Sequence, residues 1–418
     1  MKKSSKKKSI DNIKNSNDIT KKIMEDYTIK QENKNEKSKE KNNWEKVDTV
    51  IIKQYNNFQP GEKLIAFDLD DTLINQKDGK KFTYKDSFPN DWKTIYDKKK
   101  MNEKLEEYKS KNYIFAIFSN QSIISSGQIK EDLFKERIDN IFNEAFKFPF
   151  IFLAATTKDY NRKPSIGMFE IFENKYNNNI KIDKDNSYYI GDAAGREKTK
   201  TKKKDFSDSD YKFSINCKLK FLTPEEFFLN EKVNIPKIKD DYHIYDKNNN
   251  NHIKYSNEQE MIILIGSPGS GKSTFCENFL VPKGYVRINL DTLKTKQKCF
   301  QKTIEAIKNN KSVVIDNTNP QKSKREEFIN IAMENKIKIR AFIMKVDKDL
   351  AIHLNNLRVI NNNRNHFSES VNMIPIHSFY KNYEEPKTNE GFDEIVNVNF
   401  VPGPFENEKD KEIFYMLS

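Results

Sequence analysis

Five apolar residues, Met261-Ile262-Ile263-Leu264-Ile265, run without a break into Gly266-Ser267-Pro268-Gly269-Ser270-Gly271-Lys272-Ser273-Thr274, and an apolar helical pattern starts at Phe275. The GxxxxGK(S/T) spacing needs a strand before it and a helix after it, and both are readable here. Its glycines let backbone N–H groups close around anionic oxygens at the start of the helix. Lys272 is suited to neutralise the β and γ phosphates and the Ser273 hydroxyl to hold Mg2+. Gly266, Ser267, Gly269, Ser270, Gly271, Lys272, Ser273 and Thr274 are therefore expected to bind ATP with Mg2+.

That loop identifies a phosphoryl donor but no acceptor. Asp291 follows a short strand-like run and is suited to accept the proton of an attacking hydroxyl. The competing reading makes it the N-cap of a helix over 292–308. The buried run 313–315 ends in Asp316, suited to orient the metal or its water. His353, Asn355, Arg358 and Arg364 fall in a polar helical region that could close over ATP and present guanidinium groups to developing charge, with a solvated helix face as the rival reading.

A second strand-to-carboxylate junction lies upstream. The run 64–67 leads into Asp68-Leu69-Asp70-Asp71-Thr72-Leu73. Carboxylates at the carboxyl end of a strand sit where open α/β sheets bind ligands. Asp68 and Asp70 point to one side of an extended backbone, and two such charges need a cation or a shared proton. Mg2+ with a phosphate ester meets that need, one carboxylate attacking phosphorus while the other handles the proton of the leaving oxygen. The strand 115–118 ends in Ser119, Arg162-Lys163-Pro164 supplies a cation, and 188–190 ends in Gly191-Asp192, a further metal-ligand carboxylate.

Around these sites apolar runs alternate with helical patterns, which predicts two α/β domains built on parallel sheets. The expected divisions are a disordered Lys/Asn-rich tail over 1–42, a domain over 43–232, a linker over 233–258 and a domain over 259–418. Asp78-Gly79 reads as a hairpin turn. The 418 residues carry 74 Lys+Arg against 62 Asp+Glu, a net charge of +12 that favours an anionic partner. The lysine cluster at residues 2–8 reads as a nuclear address or nucleic-acid arm, with a solvated tail as the rival reading. Nuclear residence is expected, with the cytoplasm as the alternative. No apolar run approaches the ~18 residues that cross a bilayer, so no membrane role is expected. Three scattered cysteines and five His form no zinc spacing.

The order Asp68-x-Asp70-x-Thr72, Ser119, Lys163, Asp192 resembles the haloacid-dehalogenase superfamily of phosphoaspartyl phosphatases. Pro89-Asn90-Asp91-Trp92, Gly191-Asp192-Ala193-Ala194-Gly195-Arg196, Lys203-Lys204-Asp205-Phe206-Ser207 and Thr223-Pro224-Glu225-Glu226-Phe227-Phe228 are similar to its polynucleotide 3′-phosphatase branch. The phosphate-cradling loop, Asp291-Thr292-Leu293, Val314–Pro320, Ser378-Phe379-Tyr380 and Glu390-Gly391-Phe392 resemble the 5′-polynucleotide kinase family. Three departures stand out: Asp71 where glycine is usual, Leu290 where arginine is common, and Asn356 where a second lid arginine often sits.

The resemblance implies a haloacid-dehalogenase-like (Rossmannoid) domain followed by a P-loop kinase domain, the arrangement of the polynucleotide kinase 3′-phosphatase family. It implies that Asp68 forms a phosphoaspartyl intermediate and that Asp70 protonates the departing 3′ oxygen and then activates water. Ser119 and Lys163 would hold phosphoryl oxygens, with Mg2+ between Asp68, the Asp70 carbonyl and Asp192. Asp291 would be the base for the 5′-hydroxyl and Arg358 a lid arginine. Asp205 and Asp210 would support the phosphatase residues, and Lys200, Lys202, Lys203 and Lys204 would track a nucleic-acid backbone. Phosphatase before kinase is the order of the DNA-end-healing members, so DNA nicks, gaps and double-strand breaks are the implied partners. RNA ends and a metabolite phosphatase/kinase fusion are the alternatives. Repair scaffolds are not expected to bind through an FHA domain, which a 42-residue tail cannot form.

Overall fold

The computed structural model describes residues 43–77, 88–199, 203–238, 242–247, 253–365 and 372–418. The tail over 1–42, the Asp78-Gly79 turn, Lys200 and Lys202 lie outside the described residues. Cα packing divides the chain into two compact units. One holds the described residues up to Thr157 with Gly167–Ala193 and Lys218–Asn234; the other holds Lys158–Ile166, Ala194–Cys217 and Ile235–Ser418. No helix among the described residues is long and apolar enough to cross a membrane.

The first unit is built on seven strands: β1 (Glu45–Val47), β2 (Val50–Tyr55), β3 (Lys63–Phe67), β4 (Tyr113–Asn120), β5 (Phe150–Ala155), β6 (Tyr188–Ile190) and β7 (Lys220–Leu222). Their spatial order is β1-β2-β5-β4-β3-β6-β7. Strands β5, β4, β3, β6 and β7 pair in parallel, while β1 and β2 add an antiparallel edge. That edge has no counterpart in the sequence reading. Lys53 breaks its apolar run yet is buried, because Asp139 accepts from Lys53 Nζ at 2.7 Å and from Tyr55 Oη at 2.6 Å.

Successive residues of a strand face opposite sides, so a strand buried on both faces reads as a continuous apolar run. Ile65, Phe67, Phe115, Ile117, Phe150 and Phe152 enter one core with Phe134, Ile138, Ile141 and Phe142 of the helix Glu131–Glu144. On the other face Phe118 meets Phe169 and Phe172, with ring centroids 6.3 and 5.8 Å apart.

The second unit carries β8 (Glu260–Ile265), β9 (Val286–Ile288), β10 (Val313–Ile315), β11 (Lys338–Lys345) and β12 (Glu394–Asn399) in the order β9-β10-β8-β11-β12. All four pairings are parallel. Met261, Ile263 and Ile265 pack with Phe328, Ile329 and Ala332 on one face; Ile262 and Leu264 pack with Phe275, Cys276 and Leu280 on the other. In the first sheet the chain moves outward in both directions from β3; in the second it passes from β8 to the edge strand β9, returns to β10 beside β8, and then crosses to β11 and β12 on the other side. Such reversals open a crevice at the strand's carboxyl end. Both crevices begin where the motifs begin.

Candidate active sites

In the first unit the Asp68 N–H donates to Ile190 O at 2.8 Å, carrying the β3–β6 ladder one residue past the strand and setting Asp68 beside the end of β6. A carboxylate oxygen of Asp68 therefore lies within 4.8 Å of one from Asp192. Asp68 is buried and Asp192 half-buried. The turn behind them is fixed by buried Leu69, Leu73 and Ile74, and by the bonds Leu73 N to Leu69 O (2.9 Å) and Asp71 N to Ile74 O (2.8 Å). Asp71 has φ +59°, in the left-handed region, which accounts physically for the glycine usual at this position. Fully buried Thr72 accepts from the Asp192 N–H at 3.0 Å and reaches Asp192 Oδ1 at 3.3 Å, tying this turn to the metal-ligand candidate.

Ser119 is the last residue but one of β4 and is buried. Gln121 Nε2 donates both to Asp70 Oδ2 (2.8 Å) and to Ser119 Oγ (2.9 Å). The predicted proton handler and phosphate-binding hydroxyl are thus held by one amide that the sequence reading passed over. Its only signal was its place two residues after Ser119. Arg137 was also missed. It is buried, donates to Phe88 O (2.8 Å) and Asp91 O (2.7 Å), and lies 4.5 Å from the Phe88 ring centre. Burial lowers its pKa, opposed by the charges of Asp70 and Asp91.

Two acidic side chains at neighbouring strand ends, with hard oxygen donors, fit a magnesium ion between them better than they fit each other.

Lys163 belongs to the second unit, where it is buried and donates to Asp210 Oδ1 at 2.8 Å. Asp205, the other supporting candidate, is tied to the same unit. Its Oδ2 accepts from Arg196 Nε (2.7 Å), Arg196 N (2.9 Å) and Ala194 N (3.2 Å), so it organises the loop carrying Arg196.

The phosphate-cradling loop follows β8 as expected. Gly266 has no room for a side chain: a Cβ there would meet Ser270 Oγ at 2.6 Å and Met344 Cβ at 3.0 Å. Gly269 has φ +83° and a Cβ would press on Ala351 O at 3.1 Å. This is a close-walled backbone cradle fit for phosphates. The helix that follows runs over Lys272–Phe275 and continues over Cys276–Leu280 as a wider π-type turn. Lys272 Nζ donates to Gly266 O (2.9 Å) and Ser267 O (2.7 Å). Burial lowers its pKa to about 8; the Asp316 charge opposes this, Arg358 adds to it, and Asp291 opposes it. These four predicted groups therefore share one electrostatic neighbourhood. Burial also lowers the Arg358 pKa.

Asp316 at the end of β10 is buried. Its Oδ2 accepts from Ser273 Oγ (2.9 Å), Arg287 Nε (2.8 Å) and Arg287 Nη2 (2.6 Å). Its Oδ1 is buried with no hydrogen-bond partner among the described residues. An orphaned carboxylate oxygen beside the Ser273 hydroxyl suits a metal or its water, so the Mg2+ expectation fits this donor set. Arg287 was missed because it lies mid-strand and 29 residues from its partner.

Asp291 does not cap a helix over 292–308. It sits exposed inside the short helix Leu290–Leu293, whose cap is Asn289, accepting from Thr292 N at 3.1 Å. The next helix is Lys296–Lys308, capped by Thr295. Asn317 Oδ1 accepts from Leu290 N at 2.9 Å, binding the Asp291 turn to the loop after Asp316. That loop is held by fully buried Arg325, which pairs with Glu390 at 2.8 and 2.9 Å and donates to Asn319 O and Pro320 O at 3.2 Å. A cavity of about 440 Å³ lies here, lined by Pro268, Leu290, Lys296, Asn317, Lys324 and Phe379 among others.

The helix Lys348–Asn365 is not uniformly polar. His353 and Asn355 are buried, and His353 stacks on Tyr242 with ring centres 3.6 Å apart. His353 Nε2 donates to Phe414 O at 2.7 Å and Nδ1 accepts from Ser418 Oγ at 2.9 Å. His353 is thus a packing residue, whereas Arg358 is half-buried and electrostatically coupled to Lys272; the Arg364 side chain lies outside the described residues.

Residues 63–228 match the family model described as Polynucleotide kinase 3 phosphatase. The chain is 38% identical over 377 residues to the bifunctional polynucleotide phosphatase/kinase of Schizosaccharomyces pombe, covering 88% of this chain and 86% of that one. It is 35% identical over 370 residues to a protein of Acanthamoeba polyphaga mimivirus, covering 81% of this chain and 85% of the relative. It is 34% identical over 203 residues to the polynucleotide 3′-phosphatase ZDP of Arabidopsis thaliana, covering 44% of this chain and 27% of that one.

Proposed function

This chain belongs to the bifunctional polynucleotide phosphatase/kinase family, and from that membership we propose that it heals broken DNA ends, converting a 3′-phosphate and a 5′-hydroxyl into a ligatable pair. It is an enzyme with polynucleotide 3′-phosphatase and ATP-dependent 5′-hydroxyl kinase activities. The observation that carries the reading is that two strand-end crevices each bring candidate donors together, Asp68 with Asp192 in one and Lys272 with Ser273 and Asp316 in the other.

In the phosphatase half, assigned to 43–232, Asp68 attacks the 3′-phosphate and the phosphoryl group passes to its carboxylate. Asp70, oriented by Gln121, gives a proton to the leaving 3′ oxygen and then takes one from the water that hydrolyses the acyl phosphate. Ser119 binds a phosphoryl oxygen; the motif around Lys163 supports the same task for that residue. In the kinase half, assigned to 259–418, the cradle from Gly266 to Thr274 takes the ATP phosphates, Asp291 accepts the proton of the 5′-hydroxyl and Arg358 faces the developing charge. The cavity bordered by Leu290, Lys296 and Phe379 suits the terminal nucleoside of the acceptor strand. Asp68, Asp192 and the Asp70 carbonyl in one half, and Ser273 with Asp316 in the other, would hold Mg2+, which when bound neutralises phosphoryl oxygens.

Matched DNA and RNA oligonucleotides bearing 3′-phosphate or 5′-hydroxyl ends test the reading. Both ends of the DNA should be processed, and single-stranded DNA should compete with a small aryl phosphate in the phosphatase assay. RNA processed in preference to DNA would favour the RNA-repair reading. Absence of competition by DNA would favour a metabolite fusion.

A further inference from the structure

Tyr380 lies in the helix Met373–Asn382, whose buried Ile376 packs with Val346, Leu350 and Ala351 around the start of the helix Lys348–Asn365. Residues four apart share a helix face, so Tyr380 follows Ile376 toward the same place. Its Oη lies 2.7 Å from Val346 O, 2.7 Å from Asp347 O and 3.3 Å from Ser267 Oγ. A phenol has one proton to give. With that proton shared between the two carbonyls, Oη keeps a lone pair for the Ser267 hydroxyl, which otherwise donates to Pro268 O at 2.9 Å. Burial raises the Tyr380 pKa to about 12, so the hydroxyl stays a donor across the neutral range.

The carbonyls that Tyr380 holds form the head of the helix Lys348–Asn365. Asp347 O accepts from Ala351 N at 3.0 Å, closing the first turn. Asp347 Oδ1 accepts from Leu350 N at 2.8 Å and Oδ2 from Tyr245 Oη at 3.1 Å. Ala351 O in turn faces Gly269 of the cradle so closely that a Cβ there would meet it at 3.1 Å. Cradle and helix head therefore touch, and one hydroxyl links them. Arg358 lies on the same helix, about 16 Å beyond Asp347 at 1.5 Å per residue, so a few degrees of tilt at the head moves it by about 1 Å. A misplacement of about 1 Å can cost about a hundredfold in rate.

We propose that Tyr380 is a positioning residue of the 5′-kinase reaction: its hydroxyl fixes the head of the helix Lys348–Asn365 to the phosphate cradle at Ser267, and so sets where the Arg358 guanidinium meets the developing charge. It acts through Ser267 and the carbonyls of Val346 and Asp347, and takes no proton in the reaction. The proposal rests on the reading of the cradle as the ATP site, and adds what holds the arginine to it. Such a link bears on the transition state more than on nucleotide binding, because the cradle grips phosphates through main-chain N–H groups that do not need the tyrosine.

The test uses the full chain, a DNA oligonucleotide with a 5′-hydroxyl as acceptor, and ADP as the binding probe. Tyr380→Phe removes only the hydroxyl and should lower the kinase kcat about tenfold, while ADP affinity and the KM for the oligonucleotide stay within about twofold of the parent. In an Arg358→Ala background the same change should lower kcat by less than about twofold further, because the group it positions is gone. Ser267→Ala cuts the link from the cradle side, should reproduce both results, and serves in place of Tyr380→Phe if that variant does not fold. Removal of a 3′-phosphate should be unchanged in Tyr380→Phe. A kcat within about twofold of the parent overturns the proposal, as does a tenfold fall repeated in full in the Arg358→Ala background. An ADP affinity that falls in step with kcat also overturns it, since the tyrosine would then shape the cradle and not place the arginine. A parent protein that binds no ADP and phosphorylates no polynucleotide overturns the reading of the cradle itself, whereas an active parent matched by Tyr380→Phe overturns the role of the tyrosine alone.

Discussion

Asp316→Asn separates stability from kinase chemistry because the two oxygens of Asp316 do different things. Oδ2 accepts from Ser273 and from two nitrogens of Arg287, while Oδ1 is buried without a partner among the described residues. An asparagine can turn its carbonyl toward Arg287 and Ser273, keeping those bonds but losing their charge. A hydrogen bond to a charged group contributes about 1.5–3 kcal/mol and a neutral one about 0.5–1.5, so the expected loss of stability is about 1–2 kcal/mol. Arg287 is a quarter exposed and also pairs with Glu277 at 2.6 Å, which keeps the loss at the lower end. At roughly 2–4 °C per kcal/mol for a unit of this size, Tm should fall by only a few degrees. The amide then occupies the position of Oδ1, where it donates rather than accepts and repels a cation. Loss of one preorganised charge partner typically costs about a hundredfold or more in turnover, and 5′-kinase activity should fall by that order. The assay is calorimetry alongside both activities on one oligonucleotide, across a magnesium titration. Kinase activity within a few-fold of the parent would refute the assignment of Oδ1 to metal or its water. A parallel fall in 3′-phosphatase activity would refute the independence of the two sites.

Asp68→Asn should abolish 3′-phosphate removal and leave 5′ phosphorylation near normal, and Lys272→Ala should do the reverse; end-labelled oligonucleotides resolve the two products, and a single change that silences both in folded protein contradicts the two-site mechanism. Asp71 sits at φ +59°, so Asp71→Gly should stay within about 0.5 kcal/mol of the parent while Asp71→Val, β-branched, loses about 1–2 kcal/mol in urea unfolding. Glu390→Ala removes the partner of fully buried Arg325 and should cost about 3–5 kcal/mol, read as a lower denaturant midpoint; a change under about 1 kcal/mol would mean that the carbonyls of Asn319, Pro320 and Glu384 suffice for the guanidinium.

The motifs were legible because each is a local run whose chemistry depends on neighbours in the chain. A strand entering Asp68-x-Asp70, a strand entering the cradle from Gly266 and the carboxylate at Asp316 are all contiguous patterns, and the structure places them at strand ends. The edge pair β1–β2 was harder, because the lysine that interrupts its apolar pattern is neutralised by Asp139, 86 residues away. His353 and Asn355 looked polar in sequence and are buried, since burial is decided by what the helix packs against, here Tyr242 and Phe414. Gln121, Arg137, Arg287 and Arg325 carry no motif and act through partners up to 65 residues distant. Sequence alone determined the parallel-sheet architecture and singled out the candidate groups at strand ends, because period, glycine spacing and strand-end carboxylates are short-range properties of a chain. Tertiary structure alone decided which side chains orient those groups, because a hydrogen bond spanning tens of residues exists only after the strands have set their register.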